Sequence, residues 1–339
     1  MKKKQIIGVI IMAAAIILTG VIGVLSNVIE ANLTGDSKNQ SSGSFFSAIM
    51  AGADTEIILP VEDFVGVINV VGEIGPSTSD GIFSSTDGYD HDLNMRFVDE
   101  MMAADNNMGI LLYIDSPGGT VYESDELYLK LMQYKNATGR PVWAYFASQA
   151  CSGGYYIAMA ADQIYANRNC WTGSIGVIIS TINAEGLYEK IGIEEINITS
   201  GENKAMGSMG QEMTEEQVAI LQSLVDEAYD QFVEIVCAGR KLDDATVRVL
   251  ADGRIYSAKQ ALNNGLIDGI CTYEDFVNTL RRDWNLDLYV TYYDPQGENG
   301  TELDGLFSTI SALIPRNDAE VIEQFLDSRR SGVLMYYVQ

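Results

Sequence analysis

The stretch GILLYIDSPGGTVYESDELYLKLMQY, residues Gly109–Tyr134, decides the fold class. Gly109–Asp115 is almost wholly apolar and reads as a buried strand. Ser116-Pro117-Gly118-Gly119 is a turn, because proline fixes φ and glycine admits positive φ. Val121–Tyr134 then takes helical spacing, so the unit is strand–turn–helix. A second unit follows: the strand PVWAYFA (Pro141–Ala147), then the helix SGGYYIAMAA (Ser152–Ala161), with Gly153-Gly154 at its start. FVGVINVVGEI (Phe64–Ile74) precedes them as a strand, and QIYAN (Gln163–Asn167) and SIGVIIS (Ser174–Ser180) return to strand. Near-continuous apolar strands alternating with helices predict an α/β fold with a parallel sheet covered on both faces.

Thr214 opens Thr-Glu-Glu-Gln, a capping box, and Val218, Leu221, Val225, Phe232 and Val236 continue it as a long helix. Ala258–Gly265 is a short helix closed by glycine. The chain has 339 residues, 47 acids against 21 bases, a net charge of −26 and 47% hydrophobic residues. That composition excludes wholesale disorder. The acidity excludes a nucleic-acid partner, whose phosphates it would repel.

The single histidine, His91, rules out a two-histidine HExxH zinc site. Cys151, Cys170, Cys237 and Cys271 are too widely spaced for a CxxC motif, so neither a metal nor another cofactor is expected. Lys2-Lys3-Lys4 and the uncharged run Gln5–Ile29 read as a cytoplasmic basic flank (1–4) and a retained transmembrane signal-anchor (5–29). A cleaved signal peptide would have a shorter apolar run and a small-residue cleavage site. Residues 30–60 read as a linker, 61–296 as the main domain on the outer face of the membrane, and 297–339 as a tail. That tail ends in the apolar run VLMYYV (Val333–Val338), which reads as a packing strand or as a pseudo-substrate for the groove.

The two turns carry the chemistry. Glycine pairs at strand-to-helix turns bring unpaired backbone N–H groups close to a ligand. Two such turns face to face would form an oxyanion hole. Ser152 at the second turn could project its hydroxyl beside those donors. Ordinary turn glycines and an ordinary N-cap serine fit the same letters. A serine hydroxyl needs a base. His91 lies in GYDHD, a polar stretch that reads as solvated loop. A buried lysine loses its proton more readily and can serve. Lys38, Lys130, Lys135, Lys190, Lys204, Lys241 and Lys259 are the lysines beyond the amino end, and spacing alone selects none of them.

The stretches Ile114–Leu127, Ser152–Asn167, Thr172–Ile178, Ser200–Gln217 and Asp252–Ile270 together resemble the signal peptide peptidase A family of membrane-anchored serine peptidases. The resemblance covers about residues 62–273. It implies a ClpP/crotonase-like spiral of β-β-α units and a Ser–Lys dyad with Ser152 as nucleophile and Lys204 as base. It places the oxyanion hole at the N–H groups of Gly119 and Gly153, with Ser174 orienting the amine. It further implies apolar signal-peptide remnants as substrates, no cofactor, and a homo-oligomeric ring in the membrane whose dyads can join adjacent subunits. Cys151 departs from the small residue usual before the serine, and a thiol there is a competing nucleophile. A cytoplasmic acyl-CoA enzyme of the crotonase type and a catalytically inactive membrane scaffold are the alternative readings.

Overall fold

A computed structural model describes residues 57–77, 88–286, 290–296 and 335–337. The described residues from Ile58 onward belong to one compact unit. The predicted anchor and most of the linker lie outside them. Among the described residues, no helix is long and apolar enough to cross a membrane.

The chain is α/β. Strands β1 (Phe64–Val71), β2 (Asn107–Ser116) and β4 (Val142–Cys151) form the centre of an eight-stranded sheet. They pair in parallel, with Val71 opposite Asp115 and Ser116 opposite Ala150. β4 then forks. Its first half pairs with β5 (Gln163–Ala166) and its last three residues with β6 (Trp171–Gly173), both in parallel. β7 (Ile255–Ser257) closes one edge antiparallel to β6, β9 (Thr291–Tyr293) closes the other beside β1, and the two-residue β8 (Gly269–Ile270) extends β5. The three-residue β3 (Gly118–Thr120) stands apart, paired with β10 (Met335–Tyr337).

Both faces of the central strands are buried. On one face Val65, Val67, Leu111, Trp143 and Tyr145 pack with Phe276 and Leu280 of helix α8 (Tyr273–Asp283). On the other lies α1 (His91–Ala103), so close that a Cβ on Gly66 would meet the Met101 sulfur. Helix α2 (Val121–Thr138) ends on Gly139 in the left-handed conformation. The short α3 (Gly153–Ala158) is wholly buried. After α4 (Glu185–Ile191), α5 (Glu215–Arg240) begins with the expected capping box of Thr214 and Gln217. α6 (Asp244–Leu250) and α7 (Ala258–Asn263) complete the helices.

Three sequence readings shift. SIGVIIS is not the strand: pairing ends at Gly173, because Ser174 takes a positive φ of 48° and leaves the sheet. Asp90-His91-Asp92 is not a loop but the start of α1, capped by the Asp90 side chain accepting from the Leu93 N–H. His91 is buried, where solvent had been expected.

The fully buried Trp143 stacks edge-to-face on Trp284, and its indole N–H has no hydrogen-bond partner among the described residues. Trp143→Ala should cost about 3–5 kcal/mol. Trp143→Phe should cost far less, because no hydrogen bond is lost; urea denaturation of the two variants measures the difference.

Candidate active site

The carboxyl ends of β1, β2, β4 and β6 lie along one edge of the sheet, where open α/β sheets bind their ligands. Ser152 follows the last residue of β4 and precedes α3. Its backbone has φ 53° and ψ −116°, a region that non-glycine residues avoid. Two hydrogen bonds hold it there: the Ser152 N–H donates to the Gly173 carbonyl at 2.8 Å, and its own carbonyl accepts from the Tyr156 N–H at 2.9 Å. The residue is 0% exposed, and its hydroxyl has no hydrogen-bond partner among the described residues. A buried orphan hydroxyl costs about 1–3 kcal/mol and calls for an explanation.

Gly119 and Gly153 come together beside it. A Cβ on Gly153 would stand 3.3 Å from the Gly119 nitrogen and 2.5 Å from the Ser124 hydroxyl oxygen. A Cβ on Gly119 would run into the Ile74 carbonyl. Only glycine fits either place, and the fit brings two main-chain segments into contact. The turn is pinned by Ser116, whose hydroxyl donates to the Gly72 carbonyl at 2.6 Å and accepts from the Gly118 N–H at 3.1 Å. Ser116 and Ser124 are positioning residues that the sequence reading missed. Their places within and just after SPGG were the only available signal.

Ser174 lies next to Gly173 and is buried, its N–H donating to the Arg254 carbonyl. Lys204 is exposed, and its ammonium has no partner among the described residues. It belongs to a segment, Gly176 to Glu216, in which no residue is buried. That arm also exposes Leu187, Ile191, Ile193, Ile196 and Ile198, the last at 97%. Within this one chain the structure therefore brings together Ser152, Gly153, Gly119 and Ser174, and leaves Lys204 without a bond to the serine.

His91 is not available as a base for Ser152. One ring nitrogen hydrogen-bonds Tyr89 at 2.7 Å and the other Glu126 at 3.0 Å. The Tyr89 phenol is pushed well up by burial, then by the carboxylates of Glu123, Asp90, Glu126 and Asp92. Cys151 points away from the turn into the interior, donating to the Trp171 carbonyl at 3.5 Å. Burial pushes its thiol up to about 12, so it is not a thiolate at neutral pH. Among the described residues, no three acidic, histidine or cysteine side chains are grouped to hold a metal.

Residues 134–287 match the model of peptidase family S49. The chain is 38% identical over 219 residues to a candidate signal peptide peptidase SppA of Enterococcus faecium, covering 65% of this chain and 63% of that one. It is 46% identical over 166 residues to a candidate protease of Synechocystis, covering 49% and 59%. Protease 4 of Haemophilus influenzae is 31% identical over 218 residues, covering 64% of this chain and 34% of that one. The chain thus spans less than two thirds of the length of each of these relatives.

Ser152→Ala should raise the stability of the folded chain by about 1–2 kcal/mol, since it removes an unbonded buried hydroxyl; a lowered urea midpoint would contradict the cost assigned to that hydroxyl. The Cys151 thiol is raised from 9.0 to about 12 in the folded chain, so its contribution is complete below about pH 9 and is lost as the pH climbs toward 12. Alkaline unfolding should be shallower over that window in Cys151→Ala.

Proposed function

We propose that the chain, whose residues 134–287 match the peptidase family S49 model, is a member of the signal peptide peptidase A family and a serine endopeptidase acting through a Ser152–Lys204 dyad. The observation that carries the proposal is the fully buried, unbonded hydroxyl of Ser152, held at positive φ beside the backbone nitrogens at Gly119 and Gly153. A fold keeps such a costly group where chemistry uses it.

In this reading Ser152 attacks a peptide carbonyl as the Lys204 amine takes its proton. The Gly119 and Gly153 N–H groups receive the developing oxyanion, and Ser174 orients the amine. The same proton passes to the leaving amine as the C–N bond breaks, and water then hydrolyses the ester. The serine's surroundings are dry, and a dry site disfavours an ammonium relative to an amine. The substrates are apolar extended peptides such as signal-peptide remnants. The domain is a ClpP/crotonase-like spiral, tethered through residues 5–29 to the outer face of the membrane.

The base arrives from a second copy of the chain. The Ser152 hydroxyl lacks a partner among the described residues, and Lys204 rides on an arm whose isoleucines face solvent. Exposed apolar surface of that kind marks an interface. A ring of copies, each arm covering the neighbour's serine, satisfies both.

Ser152→Ala and Lys204→Ala should each abolish hydrolysis of a fluorogenic apolar peptide by the full chain in detergent, while His91→Ala should retain it. Co-expressing the two dead variants should restore about a quarter of the sites, the fraction of interfaces that pair an intact serine with an intact lysine. No recovery in a mixed assembly would place the dyad within one chain or remove it; activity lost in Cys151→Ala but kept in Ser152→Ala would overturn the nucleophile.

A further inference from the structure

We infer that Tyr156 is a positioning residue: its phenol ties the Ser152 turn to the two helices that lead to the rest of the site, and so fixes the attitude of the nucleophile. This rests on the peptidase reading and adds a residue to it. α3 is six residues long, too short to hold its conformation by its own hydrogen bonds. Yet it must resist the strain at Ser152, and a strained residue persists only where its surroundings over-determine it. Tyr156 meets that need at both ends. Its backbone N–H donates to the Ser152 carbonyl, closing the first turn of α3. The residue is fully buried, and its phenol donates to the Asp125 carboxylate at 2.6 Å and accepts from the Gln231 side-chain amide at 2.7 Å.

Asp125 lies directly after Ser124 on α2, which begins where β3 and the SPGG turn end at Thr120. Gln231 lies on α5, the helix that continues the Lys204 arm. The ring is gripped by the same two helices. Tyr128 of α2 meets it edge-on with centroids 5.6 Å apart, and Phe232 of α5 stands at 5.0 Å. α5 then passes close over the end of α3, where a Cβ on Gly239 would come to 2.9 Å from the Met159 carbonyl oxygen. The SPGG turn, the nucleophile and the root of the base-bearing arm are therefore joined through one phenol. The adjacent Tyr155 is equally buried, but its hydroxyl donates to the Leu266 carbonyl, outside this network. Removing the Tyr156 hydroxyl leaves the ring in place and frees α3 to pivot about Ser152. A shift of about 1 Å at a reacting atom can cost about 100-fold in rate. The main chain of the SPGG turn is untouched, so substrate binding is kept.

The test measures kcat and KM of the full chain in detergent with a fluorogenic apolar peptide, for wild type, Tyr156→Phe, Asp125→Ala and the control Tyr155→Phe, each at a temperature where circular dichroism shows it folded. Tyr156→Phe and Asp125→Ala should lower kcat by about 10- to 100-fold at unchanged KM. Tyr155→Phe removes a buried, bonded phenol hydroxyl from the same helix; it should lower the urea midpoint and keep kcat. An equal loss of kcat in the two tyrosine variants reduces the effect to general stability and overturns the inference, as does full kcat in Tyr156→Phe. If Asp125→Ala fails to fold, the two tyrosine variants decide the matter. Labelling by a serine-reactive phosphonate separates the two readings. A wild type that is labelled at Ser152 and turns over peptide, with Tyr156→Phe unchanged in both, sinks the positioning role alone. A wild type with neither label nor turnover sinks the peptidase and the positioning role with it.

Discussion

The backbone of Ser152 is turned into a conformation that a side chain resists, and its hydroxyl is kept out of water with nothing to bond. The strain and the orphaned group together cost about 2–6 kcal/mol, a sizeable share of the net stability of an ordinary domain. Two hydrogen bonds of 2.8 and 2.9 Å oppose that cost, one from the end of β6 and one from the first turn of α3. Behind them Ala150, Cys151 and the whole of α3 are buried. The fork in β4 follows from this arrangement. Its first half is committed to β5, and its last three residues are free to pair with β6, which brings the Gly173 carbonyl under the Ser152 N–H. The sheet is therefore built so that its central strand ends on the strained residue.

Around that point the packing is closed, and away from it the packing is open. Gly119, Gly153, Ser116 and Ser124 interlock at contact distance. The arm from Gly176 to Glu216 buries no residue. On the proposed reading, a rigid nucleophile and a base on an open arm would suit an enzyme that acts only once assembled. In the proposed ring, the step that buries the arm's isoleucines also brings the amine to the serine, so association and activation are one event. On that reading an isolated chain holds the serine and the backbone donors, with the base on its neighbour.

Much of this is legible in the letters, for physical reasons that differ from place to place. In Gly109–Tyr134 the strand and the helix read correctly because an apolar run and a helical period are local signals, whereas Gly118–Thr120, read as turn, is the short strand β3, whose partners Ile74 and Met335–Tyr337 are distant in sequence. Thr214–Gln217 reads correctly because a capping box is a contact within four residues. His91 misleads, because its burial depends on Glu126, 35 positions away, and Asp90 and Asp92 look like solvent. Ser174 lies in a run, SIGVIIS, whose pattern favours strand, but pairing with β7 and the positive φ at Ser174 end it there. Lys204 is selected by resemblance alone. Nothing in its own neighbourhood distinguishes it, since any partner for it is not local in sequence and, on the ring reading, is not in the same chain.

The SPGG turn offers its main chain on two edges, one to Ile74 and one to Met335–Tyr337. Peptide recognition by main-chain pairing is tolerant of sequence, because every residue but proline offers the same N–H and carbonyl. A protein with an open edge therefore cannot exclude its own chain by hydrogen bonding; any apolar strand tethered within reach will dock there. Gly119 meets this constraint from both sides. It has no Cβ because Ile74 presses on one edge, and its polar groups face the other, where Tyr336 lies opposite. The geometry that leaves room for a substrate carbonyl also leaves room for the chain's own strand.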